Sequence, residues 1–402
     1  MTRSRRVVQG VFLALVLIGV FGFGANCERW CPFGGFEAIY TYVSEGNMLC
    51  ALSVSNFFIL GGVLAATLLV RRAFCGYMCP IGTISEWLHA AGRKAKLPEL
   101  RLPVGAERMF GLLKYAVLAV VLTLTYRAGE LIFRGFDPCY ALIGRHGEDI
   151  TYWAYIVAGG IVVVSLAAIL PFCRWLCPFA AVLNGFSRFG FTRVQRDEAT
   201  CHHCGLCAKR CPMVIPVDRV AQVTAARCIS CLQCVEVCPS VRAQPQALSW
   251  GPVVPRGRRW PQAVLIVILL LCTTAAVTAS YLIPVPSFLK RRGTAPTVTT
   301  TATLEIDQLS CRGRANLFAY FLERDDFLAL SGYLKIAAWP GPGWAKVQIT
   351  YNPKECTKTA IQQAITEPYY DSVTDHWRQS PFGIRGYDPL ALDDASLNLP
   401  LD

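Results

Sequence analysis

Two stretches of the 402-residue chain carry cysteines in the same tandem pattern: CHHCGLCAKRCP from Cys201 to Pro212, and CISCLQCVEVCP from Cys228 to Pro239. Both read C-x2-C-x2-C-x3-C-P, a run that wraps a cubane 4Fe-4S cluster. The short spacings let one loop present three thiolates to three corners of the cube. The fourth cysteine, before the proline, turns away to the other cluster. By that rule one cluster takes Cys201, Cys204, Cys207 and Cys238, and the second takes Cys228, Cys231, Cys234 and Cys211. Gly205 and Ser230 keep the turns small. Zinc ribbons and disulfides are the competing chemistries. Zinc sites usually separate two C-x2-C pairs, and disulfides seldom persist in the cytoplasm, where the charge pattern puts this segment. His202 and His203 read as exposed residues that tune potential or solvation rather than as ligands.

A second spacing, C-x3-C-P, occurs in RRAFCGYMCPIG with Cys75, Cys79 and Pro80, and in PFCRWLCPFA with Cys173, Cys177 and Pro178. If locally helical, each pair shares one helix face and the proline ends or kinks the helix. Four converging thiols suit an iron–sulfur centre, a single iron or redox-active dithiols. Small cysteines packing where helices cross are the bland alternative. A third copy, NCERWCPFGG, holds Cys27, Cys31 and Pro32; with Cys50 and Cys139 it forms an outer set of redox or metal candidates. An oxidising compartment would equally convert those four to disulfides. Cys272 reads as packing.

Which elements position these thiols? The chain is 53% hydrophobic and 16% charged, with a mean hydropathy of +0.39, a membrane-protein composition. Five segments approach the roughly 20 apolar residues that a bilayer requires: about 7–23, 51–70, 110–126, 152–171 and 261–283. Lys114 lies one turn inside the third, from where it is expected to snorkel to the headgroups. The first span reads as an uncleaved anchor, with a signal peptide as the alternative. Basic residues fill the N-terminus, the 71–110 connection and the 173–260 segment. The positive-inside rule therefore makes those parts cytoplasmic, with Lys290, Arg291 and Arg292 as the contrary signal. The net charge of +12 is thus topogenic and not a nucleic-acid footprint. None of the five histidines falls in an expected span and no C-x-x-C-H occurs, which argues against haem. Ile81 to Leu97 reads as an amphipathic surface helix with Ile84, Trp87, Leu88 and Ala91 on its apolar face. The segment after Pro178 reads alike, giving a two-fold repeat of span, C-x3-C-P and surface helix.

On the tandem cluster motifs and the paired C-x3-C-P sites, residues 50–245 resemble membrane polyferredoxin-type proteins of the NapH/NosR class. Members serve periplasmic nitrate reductase as a quinol dehydrogenase, or nitrous oxide reductase in electron supply and maturation. Copper-handling accessory proteins of cytochrome oxidase assembly look similar. The resemblance implies electron transfer near the membrane surface for Cys75, Cys79, Cys173 and Cys177. It also implies a quinone, with Tyr77 and Trp87 as aromatic neighbours, and a bacterial inner-membrane location.

Beyond the fifth span the pattern is strand, helix, two strands, helix, which resembles a heavy-metal-associated ferredoxin-like domain. That family's loop has C-x-x-C, whereas here Cys311 is followed by Arg314, so Cys311 alone is a weak metal candidate. The expected fold is an α-helical polytopic membrane protein of about five transmembrane helices, with a two-cluster ferredoxin insert and a C-terminal α+β domain. The expected boundaries are 1–195 for four helices, 196–245 for the insert and 258–285 for the fifth helix. A linker at 286–300, the βαββα domain at 301–370 outside the membrane, and a tail at 371–402 follow. The expected function is transfer of single electrons between a cytoplasmic or quinol donor and a membrane or periplasmic acceptor, with redox partner proteins on one or both faces. Soft-metal handling or metalloenzyme assembly, and redox sensing, are the alternatives.

Overall fold

The computed structural model describes residues 3–23, 31–36, 39, 55–100, 102–128, 132–144, 151–239, 247–253, 259–283, 285–341, 343–371 and 375–388. They divide into two compact units, one within Met1–Glu37 and Ser55–Leu282, the other from Ile283 onward.

The first unit begins with α1 (Arg3–Leu17), which runs on as a π-turn over Ile18–Gly22. Then come α2 (Ser55–Val70), α3 (Ala73–Tyr77), α4 (Pro80–Lys94), α5 (Val104–Ala128), α6 (Pro138–Ile143) and α7 (Tyr152–Ala167). A second π-turn over Phe172–Leu176 leads into α8 (Pro178–Ser187). The cysteine-rich insert is framed by β1 (Thr192–Arg196) and β2 (Leu248–Pro252), paired antiparallel, with short helices α9 (Leu206–Lys209) and α10 (Gln233–Glu236) between them; α11 (Gln262–Leu282) follows.

Among the described residues three helices are long and apolar enough to cross a bilayer: Ser4–Gly22, Gly105–Arg127 and Gln262–Leu282. The other two expected spans are apolar helices of 16 residues. At 1.5 Å per residue they reach about 24 Å, short of a hydrocarbon core of about 30 Å. Left-handed residues follow both, at Arg71 and Leu170, and turn the chain into the C-x3-C-P motifs.

Helices α2 and α11 cross closely. A Cβ on Gly62 would stand 2.6 Å from the Ala276 Cβ and 2.8 Å from the Cys272 carbonyl oxygen. In lipid such close approach replaces the hydrophobic drive between helices. Gly62→Leu is therefore expected to separate α2 from α11 and lower the midpoint of thermal unfolding in detergent; an unchanged midpoint would disprove the close crossing.

The insert has no core of its own. Met213, Ile229, Cys231 and Trp250 belong to the same buried cluster as Val63, Val70, Tyr77 and Leu265 of the helices. Arg71 binds it down, its guanidinium donating to the carbonyls of Val223, Thr224 and Ala225.

The second unit holds a four-stranded antiparallel sheet of β3 (Phe288–Arg292), β5 (Leu334–Trp339), β6 (Ala345–Tyr351) and β4 (Thr300–Ile306), in that spatial order. α12 (Arg312–Leu322) and α13 (Lys358–Thr366) pack in its core. The expected linker at 286–300 needs correction. Phe288 is fully buried, residues 288–292 pair with β5, and Lys290 bridges Glu323 at 2.6 Å. Apolar Phe288 at the head of a basic run fixes the strand, which composition alone reads as polar linker. The tail is also partly structured. Tyr369–Asp371 (β7) and His376–Arg378 (β8) pair, and the Gly383 carbonyl and Arg385 amide bond to the outer edge of β4.

Candidate iron–sulfur centres

The two C-x2-C-x2-C loops adopt one conformation twice. His203 and Ser230, each just before the second cysteine, have φ of +50° and +47°; Gly205 and Leu232, each just after it, have +69° and +57°. Left-handed backbone on both sides of a cysteine folds the loop around a common centre, at a steric cost for His, Ser and Leu. Each loop then closes in a single helical turn, α9 or α10.

Two cavities result. Cys211, Cys228, Cys231 and Cys234 line one, walled by Val194, Met213, Ile215 and Val223. Cys201, Cys204, Cys207 and Cys238 line another, whose wall includes Arg196, His202, His203 and Asp218. The first is the drier. Burial pushes Cys231 up to about 12 and Cys211 up to about 11, so both hold their protons until a metal displaces them. At the second, Cys204, His202 and His203 are exposed. Each cavity thus offers four thiols to one occupant, the donor set of a cubane cluster.

Cys75, Cys79, Cys173 and Cys177 converge from two chain segments, and negative charge on any of them opposes ionisation of its neighbours. Pro80 and Pro178 start helices α4 and α8 instead of ending the ones before. Proline suits a first helical position, where its missing N–H costs nothing. Cys79 and Cys177 therefore occupy helix N-caps, their sulfurs facing the amides of Gly82 and Ile81 and of Ala180. Burial still dominates and pushes both up to about 12, with the Cys75 thiolate as the next cause.

Helix α4 does not present its polar face to water. Thr83, Ser85, Glu86 and His89 are buried, whereas Trp87 and Ala91 of the apolar stripe are exposed. Ser85 and Ser165 exchange a hydrogen bond at 2.9 Å, Ile81 packs on Ile161, and the Gly92 backbone lies against the Leu166 carbonyl. The helix thus runs alongside α7 with its apolar stripe outward, as in an amphipathic helix whose apolar face meets lipid at the interface. In α8 the first seven residues, 178–184, are all buried.

Lys114 was missed as a site residue. It is 4% exposed and donates from Nζ to the Arg174 carbonyl at 3.0 Å, beside Cys173 and Cys177. Arg72, fully buried, donates to Asn184 Oδ1 at 2.9 Å and approaches Cys75 Sγ at 3.9 Å. Arg174 is paired with Glu107, which also accepts from Trp175 Nε1. A lysine in the middle of an apolar helix was the one signal in the sequence.

The insert packs against the segment that links two cysteines of this tetrad. A Cβ on Gly76, between Cys75 and Cys79, would stand 3.0 Å from the Ile229 carbonyl in the second cluster loop. The adjacent Tyr77 is buried, its hydroxyl accepting from Gln262 Nε2 at 3.1 Å.

A family model described as a 4Fe-4S binding domain matches residues 52–98 and 150–194, the two helix and C-x3-C-P repeats. A 4Fe-4S dicluster domain model matches residues 193–239. YccM of Escherichia coli, whose name carries a provisional assignment to electron transport, is 28% identical over 53% of this chain and 61% of its own length. Regulatory protein NosR of Pseudomonas aeruginosa is 30% identical over 46% of the chain and 26% of its own. The uncharacterized protein MJ0750 of Methanocaldococcus jannaschii is 30% identical over 52% of the chain and 82% of its own. The chain belongs to the membrane polyferredoxin class of NapH and NosR. No solved structure matches it.

In this polyferredoxin the two described members of the expected outer set, Cys31 and Cys139, pack in the same cores as cysteines of the inner set. Cys139 packs on Ile81, Ile161 and Phe172 together with Cys79 and Cys177. Cys31 joins the core that contains Cys75 and Cys173, and the nearby Phe33 ring lies 6.2 Å from that of Phe179. Cys27 and Cys50 lie outside the described residues. In the second unit Cys311 is exposed at the N-cap of α12, and Cys356 is buried in the core.

Proposed function

We propose that this polyferredoxin is a membrane electron carrier. It takes single electrons from a cytoplasmic or quinol donor and delivers them to an acceptor in or beyond the inner membrane. The supporting observation is the contact of Gly76 with Ile229, which sets the drier four-cysteine cavity against the thiol tetrad. Cys201, Cys204, Cys207 and Cys238 would hold one 4Fe-4S cluster, and Cys211, Cys228, Cys231 and Cys234 the other. The tetrad of Cys75, Cys79, Cys173 and Cys177 would hold a further centre. When bound, such clusters supply one-electron redox chemistry.

The chain's own residues do the rest. His202, His203 and Cys204 leave one cavity open to a donor, whereas Met213, Ile215 and Ile229 keep water from the other. Among the described residues no three His, Cys, Asp or Glu side chains are close enough to cage one metal ion. The soft-metal reading leans on the second unit and the outer cysteines; in that unit Cys311 is exposed and Cys356 buried, which does not make a two-thiol site. Cytoplasmic placement of the insert and outer placement of the second unit follow from the basic connections. The basic run at 290–292 lies inside a folded strand and carries little topogenic weight.

The test is iron and sulfide content with EPR of the dithionite-reduced protein, purified without oxygen, for wild type, Cys204→Ser and Cys231→Ser. Each variant is expected to lose about four irons and a different signal. Zinc in place of iron, or the same signal lost in both, would sink the two-cluster assignment.

A further inference from the structure

We infer that Lys114 and Arg72 are positioning residues for the thiol tetrad: their buried cations hold an anionic, thiolate-bound redox centre and set its reduction potential. This rests on the proposal that the tetrad binds such a centre. Lys114 lies midway along the span-length helix Gly105–Arg127, and its ammonium meets a backbone carbonyl and the Tyr115 ring, 5.9 Å from its centroid, neither of which carries a counter-charge. Arg72 meets the neutral Asn184 amide and the Cys75 sulfur, and its buried Nε has no partner. The nearby carboxylates are committed elsewhere. Glu107 pairs with Arg174, and Asp137, which faces Cys177, caps α6 through the Cys139 amide at 2.9 Å. Arg227 of the insert adds to the positive field at Lys114.

Buried charge without a counter-charge is costly, most of all in an apolar helix bundle. Four protonated thiols would leave both cations uncompensated. Thiolates on an iron centre supply the missing negative charge. When one electron enters, the centre gains one negative charge and no proton need follow. The two cations favour that reduced state and raise the potential.

Potentiometric EPR on the intact protein tests this with Lys114→Met and Lys114→Arg. Lys114→Met is expected to lower the equilibrium constant for reducing the tetrad centre about tenfold, about 59 mV for one electron. The two ferredoxin signals stay unmoved and Lys114→Arg keeps the wild-type value. A tetrad centre lost in Lys114→Met and kept in Lys114→Arg would equally support the charge. Full iron with an unmoved potential in Lys114→Met would overturn the inference, as would loss of the centre in both variants, which marks a packing role. Wild-type iron no higher than that of a variant with all four tetrad cysteines as serine would instead remove the underlying reading, and this inference with it.

Discussion

Replacing Cys75, Cys79, Cys173 and Cys177 together by serine is expected to remove about a third of the iron, roughly four of twelve atoms if each centre is a cubane. The two ferredoxin signals should persist, because their eight cysteines line separate cavities. Reduction of a membrane quinone or outer acceptor by the dithionite-reduced protein should fall by orders of magnitude. Gly76, between Cys75 and Cys79, lies against Ile229 of the insert, so without the tetrad electrons are expected to stop at the Ile229 loop. Iron content and acceptor reduction both unchanged would reduce C-x3-C-P to packing. Unchanged iron with lost activity would make the motifs redox-active dithiols.

The second large effect concerns stability. Arg5 Nη2 donates to both Glu86 carboxylate oxygens at 2.8 Å, its Nε to the Gly76 carbonyl at 2.9 Å, and Gln9 Nε2 to Glu86 and Gly76. The side chains of the pair are 0% and 2% exposed. Removing one partner of such a buried pair costs about 3–5 kcal/mol, because the other charge stays behind. Glu86→Gln is therefore expected to lower the unfolding midpoint in detergent sharply and to loosen α1 from the Cys75–Cys79 segment. An Arg5→Met/Glu86→Leu double variant should recover most of the loss, since apolar replacement of a whole buried pair is often neutral. A double variant as unstable as the single would mean that shape, not charge, holds this contact.

Much of the chemistry was legible because it is covalent spacing. Three cysteines within seven residues can only face one another, and the loop geometry at His203, Gly205, Ser230 and Leu232 follows from that closure. Facing was less legible. The period of α4 defines an apolar stripe through Ile84, Trp87, Leu88 and Ala91. It does not say which medium the stripe meets. The partner of Lys114, the Arg174 carbonyl, lies 60 residues away in the chain, too far for a local pattern to show. Proline after a cysteine is ambiguous for a different reason: it stops one helix and starts the next equally well, and only tertiary context chooses. The approach of Cys139 to Cys79 and Cys177 is long-range packing, beyond any local pattern.

The shared core of insert and helices also dictates an order of biogenesis. The inner cavity is closed by Ile229, Cys231 and Cys234, none more than 8% exposed, with the Gly76 backbone against the Ile229 carbonyl. No inorganic cube passes through that wall. Cofactor loading of the inner site is therefore expected to precede docking of the insert. Iron starvation should then leave not an empty but well-folded protein, but helices with an undocked, protease-sensitive segment between β1 and β2.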